Sequence, residues 1–159
     1  MVENRKENVM RRSFVMVAIM TMMAFVTKVD AKDWKTNFKK ASEEAAKSKK
    51  YMLLDFTGSD WCGWCIRLKK EVFSKRTFKK YAKENLICVE LDFPRGKRLP
   101  KKLKKQNAEL AKKYNVNGFP TVLILSPDGK VVVNTGYRQG GAKKYVAYLK
   151  KVIEDHKNK

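Results

Sequence analysis

Tyr51-Met52-Leu53-Leu54-Asp55-Phe56-Thr57-Gly58-Ser59-Asp60-Trp61-Cys62-Gly63-Trp64-Cys65 is the stretch that decides how the chain is read. Its first six residues form an apolar run of strand length, interrupted only by Asp55. Residues 57–60 are small and polar, as in a loop. From Ile66 to Phe73 the apolar residues recur at helical spacing, which predicts a helix. Cys62 and Cys65 therefore fall at a strand-to-helix turn, Cys62 at or beside the helix N-terminus and Cys65 one turn inside. Residues three apart share a helix face, so the two sulfurs can bridge with little backbone movement. Free N–H groups and the positive end of the helix favour a thiolate at Cys62. A thiolate attacks disulfides, and a neighbouring thiol can then expel the mixed disulfide. The spacing points to a redox pair.

Two other readings stay open on these residues alone. A zinc half-site needs two more ligands, and beyond the pair the chain offers only Cys88 and His156. An inert structural disulfide would close so short a loop that it restricts the unfolded chain little.

Outward from this stretch the pattern alternates helices and strands. Asp33 or Thr36 can start a helix through Trp34, Phe38, Ala41, Ala45 and Ala46, ending at the Ser48-Lys49-Lys50 break. After the cysteine helix, Ser74 reads as the N-cap of a short helix carrying Phe78 and Tyr81. Residues 86–92 form a second strand with Ile87, Val89 and Leu91 on one face. Both strands are joined through helices, which predicts a parallel pair. A basic loop, 93–100, is followed by a helix over 101–114. Residues 121–125 are a continuous apolar run of a buried strand. Pro127-Asp128-Gly129 turns the chain into a strand over 130–135, making a hairpin. Gly140-Gly141 opens a last helix with Tyr145, Tyr148, Leu149, Val152 and Ile153 on its apolar side.

The first 31 residues of the 159 read differently. Arg5, Lys6, Arg11 and Arg12 precede a charge-free stretch from Phe14 to Val26, and Val29-Asp30-Ala31 offers small residues where a signal peptidase cuts. The pattern is that of a signal peptide over 1–31, leaving one α/β domain over 32–159. The apolar stretch is short for a membrane span of about 20 residues, although Lys28 and Asp30 leave an uncleaved anchor as an alternative. Export places the chain in the periplasm or outside the cell, where disulfides persist. Five cations and three anions lie in the leader, so +19 of the formal +21 stays with the domain. The plain reading of that charge is a solvated lysine-rich surface, since no nucleic-acid motif accompanies it. The cations of residues 93–106 are candidates for steering acidic clients or partners.

The Trp-Cys-x-x-Cys at 61–65, together with Gly118-Phe119-Pro120-Thr121 and the hairpin and helix after it, resembles the thioredoxin superfamily over nearly all of the mature part. The stretch from Asp55 to Cys62 is similar to that of secreted single-domain bacterial thioredoxin-like proteins. The resemblance implies an α/β thioredoxin-like fold. Its central mixed sheet has about four strands, a parallel pair plus a C-terminal hairpin, flanked by helices. It implies a thiol–disulfide oxidoreductase with Cys62 as nucleophile, Cys65 as resolving thiol and Asp55 as a buried proton acceptor. Trp61, Gly63, Trp64, Phe119 and Pro120 would border the bound client. A cis Phe119–Pro120 peptide is implied beside the cysteines, against an ordinary trans proline opening an edge strand. Asp55 can also be read as an exposed or hydrogen-bonded strand-end residue. Cys88 falls near the place of a lysine that partners this acid in many thioredoxins, or is a small buried core residue.

No metal and no organic cofactor is expected. The partners are thiols and disulfides of exported proteins and an unidentified redox partner. Neither nucleic acid nor a stable membrane insertion after cleavage is expected, and the chain is taken as a monomer. The reading from another class is a thioredoxin-fold binding or chaperone module with a structural, non-catalytic disulfide. The Gly63-Trp64 dipeptide differs from the Gly-Pro of thioredoxin, so the direction of electron flow is not carried over.

Overall fold

A largely apolar run marks a strand that buries both faces, and Tyr51–Thr57 (β1) is buried along its whole length, Asp55 included. The computed structural model describes residues 34–158; the leader over 1–31 and Asp33 as a helix start lie outside them. After β1 the chain forms Gly63–Leu68 (α2), which runs on into a π-helical turn, Lys69–Phe73. Arg76–Asn85 (α3) leads to Leu86–Asp92 (β2), and Lys101–Lys113 (α4) to Thr121–Leu125 (β3). Val131–Thr135 (β4) and Gly141–Lys157 (α5) complete the domain, with Phe38–Ser48 (α1) ahead of β1.

The sheet order is β2-β1-β3-β4. β1 pairs in parallel with β2, Tyr51 opposite Leu86 through Thr57 opposite Asp92. β3 runs antiparallel to β1 and forms the hairpin with β4. This is the mixed four-stranded, thioredoxin-like sheet that the motif order implies. Side chains alternate across a strand, and β1 uses both sides. Tyr51 and Leu53 join a core with Leu68, Phe73, Phe78 and Tyr145 from α2, the π turn, α3 and α5. Met52, Leu54 and Phe56 join the other core with Ala41, Ala45 and Leu110 from α1 and α4. Each fully buried large side chain contributes about 1.5–3 kcal/mol.

Beyond shifts of one residue at the ends of β1 and α4, element boundaries depart from the sequence reading at three places. The first helix begins at Phe38, not at Asp33 or Thr36, with Asn37 as N-cap accepting from the Lys40 N–H at 3.0 Å. Lys35 is held out of it as a parallel bridge to Val89, donating to the Cys88 carbonyl and accepting from the Glu90 N–H. Trp34 thus packs from outside the helix, its ring 5.0 Å from that of Phe73. Ser74 is not an N-cap: its N–H donates to the Lys69 carbonyl at 2.8 Å to close the π turn, and Lys75 precedes α3. β4 starts at Val131 rather than 130, because the Lys130 carbonyl accepts from the Ser126 N–H within the turn. Among the described residues no helix is long and apolar enough to cross a membrane.

Candidate active site

The carboxyl end of β1 delivers the chain to Cys62, the N-cap of α2. Cys62 and Cys65 are joined in a disulfide, their Cα atoms 5.2 Å apart. The Cys65 N–H points at the Cys62 sulfur, 3.2 Å away. In the reduced protein that N–H would favour a thiolate at Cys62, as an oxygen-bearing cap favours its own lone pair there. Cys62 is 7% exposed and Cys65 4%, a smaller contrast than an open nucleophile and a hidden partner would give.

The loop before Cys62 is organised by a residue that the motifs do not mark. Asp92, at the end of β2, accepts from the Ser59 N–H (2.9 Å) and hydroxyl (2.7 Å), and pairs with Lys97 at 2.9 Å. Burial opposes ionisation of its carboxyl, but Lys97 and Ser59 outweigh that and lower its pKa. Gly58 is needed at the start of this loop. A Cβ there would lie 2.5 Å from the Trp61 indole, which folds over it.

Asp55 lies on the same face of β1 as Tyr51 and Leu53, by strand alternation, and so faces the layer that carries the cysteine helix. It is only 6% exposed, and its Oδ1 has no hydrogen-bond partner among the described residues. Asp55 is thus neither exposed nor at the end of its strand. Burial raises its pKa to about 8, reinforced by Glu90 and Asp92 and opposed by Lys69. The parallel register sets Glu90 opposite Asp55 and Cys88 opposite Leu53. Cys88 is buried in the core on the cysteine-helix side of the sheet. A cation comes from the π turn, where Lys69 pairs with Glu90 at 3.4 Å. A cavity of about 140 Å³ is lined by Asp55 together with Trp34, Phe73, Lys69 and Glu90.

Phe119–Pro120 is a cis peptide. Gly136 allows its close approach to β4, since a Cβ there would stand 2.8 Å from the Pro120 carbonyl oxygen. Phe119 meets the cysteine loop edge to face with Trp61, ring centroids 5.8 Å apart, and stacks obliquely on Phe93 at 5.0 Å. The Trp61 indole N–H donates to the Phe93 carbonyl at 2.8 Å. Trp64 is 54% exposed and tilts against Tyr137 at 5.2 Å. The Arg67 guanidinium lies 5.3 Å from both of these rings, and Glu71 accepts from Arg67 (2.7 Å) and the Tyr137 hydroxyl (2.6 Å). This clasp fixes the segment after β4 to the cysteine helix. Gly63 has open space where a Cβ would be, so no contact demands glycine there.

Trp61, next in the chain to the Cys62–Cys65 pair, meets Phe119, while Asp55 faces the layer that carries α2. Asp92, Glu90, Lys69, Gly136 and Tyr137 had escaped the sequence reading. Only Glu90 carried a usable signal, being fifth in its strand as Asp55 is in its own. Among the described residues, no group of three or more His, Cys, Asp or Glu side chains is arranged to hold a metal ion.

A family model described as a thioredoxin-like domain matches residues 38–153. The chain is 34% identical over 118 residues to disulfide bond reductase DsbH of Chlamydia pneumoniae, covering 74% of this chain and 71% of that protein. A solved structure of DsbH oxidoreductase superposes with a TM-score of 0.73 at 34% identity, over 76% of this chain and 83% of the other. A thioredoxin from Thermus thermophilus, 18% identical, shares the fold with a TM-score of 0.57 over 76% of this chain and 85% of its own.

Proposed function

The chain belongs to the thioredoxin-like family and is a protein-disulfide oxidoreductase with Cys62 and Cys65 as its redox pair, and on that premise we propose that it reduces disulfides of exported proteins. The observation that carries this reading is the Cys62–Cys65 pair at the start of a helix, with a backbone N–H aimed at the first sulfur. The reducing direction is supported by the likeness to a protein named a disulfide bond reductase.

In the proposed cycle the Cys62 thiolate attacks one sulfur of a client disulfide. The client S–S bond breaks, a Cys62–client bond forms, and the departing client thiolate takes a proton. Cys65 then gives up its proton and attacks the Cys62 sulfur, expelling the second client thiolate. The client gains two electrons and two protons, and the protein is left as the Cys62–Cys65 disulfide. A partner dithiol must restore it. Asp55, with a carboxyl that titrates near pH 8 and a cavity that it lines, is suited to exchange the Cys65 proton at neutral pH. Phe119 and Pro120, framed by Trp61 and Trp64, would take the client backbone, Gly63 leaving room above the pair.

Equilibration with glutathione measures the direction. A reductase is expected at about −200 to −270 mV, in the range of glutaredoxins and thioredoxin. A value near −120 mV, roughly that of a dedicated oxidant, would reverse the proposal.

Export is supported by the basic, apolar and small-residue order of residues 5–31. N-terminal sequencing of the protein from its source cells should begin at Lys32; a start at Met1 would replace cleavage by an anchor.

A further inference from the structure

The turn after β2 folds back onto the cysteine loop. Asp60 accepts from the N–H groups of Arg95 (3.0 Å) and Gly96 (2.7 Å), bonds that hold its carboxyl below the ordinary range. The Arg95 guanidinium lies 3.9 Å from the centroid of Trp61, the residue before Cys62. Next to Arg95, the turn and the start of α4 enclose a pocket of about 400 Å³. It is lined by Arg95, Lys97, Arg98, Lys101 and Lys104, with no acidic side chain among the described residues that line it. Lys97 is engaged by Asp92 at 2.9 Å, which leaves four cations converging on one concavity. Such convergence is unfavourable by itself, and an anion seated there offsets it.

We propose that this pocket is a client subsite that binds acidic side chains close to the client's reacting cysteine. The inference rests on the reading that Cys62 exchanges disulfides with polypeptides, and adds the class of polypeptide. Its ground is continuity. The pocket adjoins Trp61, and the rings of Phe93 and Phe119 continue the same surface toward the cis Phe119–Pro120 peptide. A client with its sulfur at Cys62 passes over or beside these rings. At about 3.3 Å per extended residue, a carboxylate a few residues from the cysteine reaches the cations. Arg95 is held ready by its stacking on Trp61. An anionic bilayer would meet lysines on any face of the chain, whereas this site is concave and beside the reacting sulfur.

The test uses short peptides with one central cysteine flanked by two glutamates, two glutamines or two lysines. Versions with serine for cysteine measure binding to the full chain, and versions capped as 2-thiopyridyl disulfides measure thiol attack by release of thiopyridone. At low salt the glutamate peptide should bind about tenfold tighter than the glutamine peptide, and the lysine peptide weakest. In a triple variant, Arg98→Gln, Lys101→Gln and Lys104→Gln, that advantage should fall to about twofold. A control with Lys80, Lys83, Lys143 and Lys150 changed to Gln alters α3 and α5, in the other helical layer, and should keep most of the advantage. Lys101→Gln with Lys104→Gln alone should lose part of it, which guards against a misfolded triple variant. Equal binding of the three peptides, or equal loss in the pocket and control variants, overturns the subsite. So does a pocket variant that loses only adsorption to phosphatidylglycerol vesicles. Absence of thiopyridone release from every peptide would instead remove the oxidoreductase reading, while the serine peptides still decide the subsite.

Discussion

Replacing Cys62 by Ser is expected to abolish disulfide reduction, a loss of at least about 10³-fold, because a hydroxyl is not ionised at neutral pH and cannot form the mixed disulfide. The same change removes the sulfur that receives the Cys65 N–H. Cys65→Ser acts differently. Attack by Cys62 still occurs, but the step that expels the client does not, so turnover stops after one event and the adduct persists. Cys88→Ala should retain activity, since Cys88 is a small residue buried in the core, and should lose only some stability to an imperfectly filled site. A reduction assay with a disulfide-bonded protein substrate separates the three. Activity surviving in Cys62→Ser would assign the nucleophile elsewhere.

Asp55→Asn should change both stability and rate. In the folded protein the carboxyl titrates near pH 8, against about 3.9 in the unfolded chain. Between those values the folded state keeps a proton that the unfolded state has lost. Stability therefore falls as pH rises from about 4 to about 8, and levels off above that. The amide lacks this ionisation, so the variant should be the more stable protein, with the difference growing through that window. It should reach on the order of a few kcal/mol at pH 9 and shrink toward pH 4. Turnover should move the other way, falling about 10²-fold at pH 7 as proton exchange with Cys65 is lost. Denaturant unfolding at pH 5, 7 and 9, with single-turnover kinetics, reads both. A variant less stable than the parent at pH 9 would mean that the carboxylate is paired in the fold, and the proton-exchange role would go with it.

Much of this was legible in the chain itself. The run from Tyr51 to Phe56 announced a strand, and the cysteine spacing put both sulfurs at the next helix. What escaped was long-range. Lys35 leaves the helical pattern because its backbone finds a bridge to Val89, and local propensity carries no trace of that pairing. The π turn at Lys69–Phe73 puts Lys69 beside Glu90, and helical periodicity alone gives an α-helix through the same residues. Of the two readings of Cys88, the small buried core residue is the one that the packing bears out. Counting in from the two strand starts, Tyr51 and Leu86, puts Glu90 opposite Asp55. Asp92 and Gly136 are set by what approaches them, Ser59 and the Pro120 carbonyl, and neither approach can be read before the sheet is assembled.

The most direct measurement is mass spectrometry of the adduct that Cys65→Ser forms with a disulfide-bonded client, digested without reduction. A client peptide joined to the Cys62-containing fragment is the expected result. A client joined through Cys88, or no adduct with a folded variant, would contradict Cys62 as the attacking half of the pair.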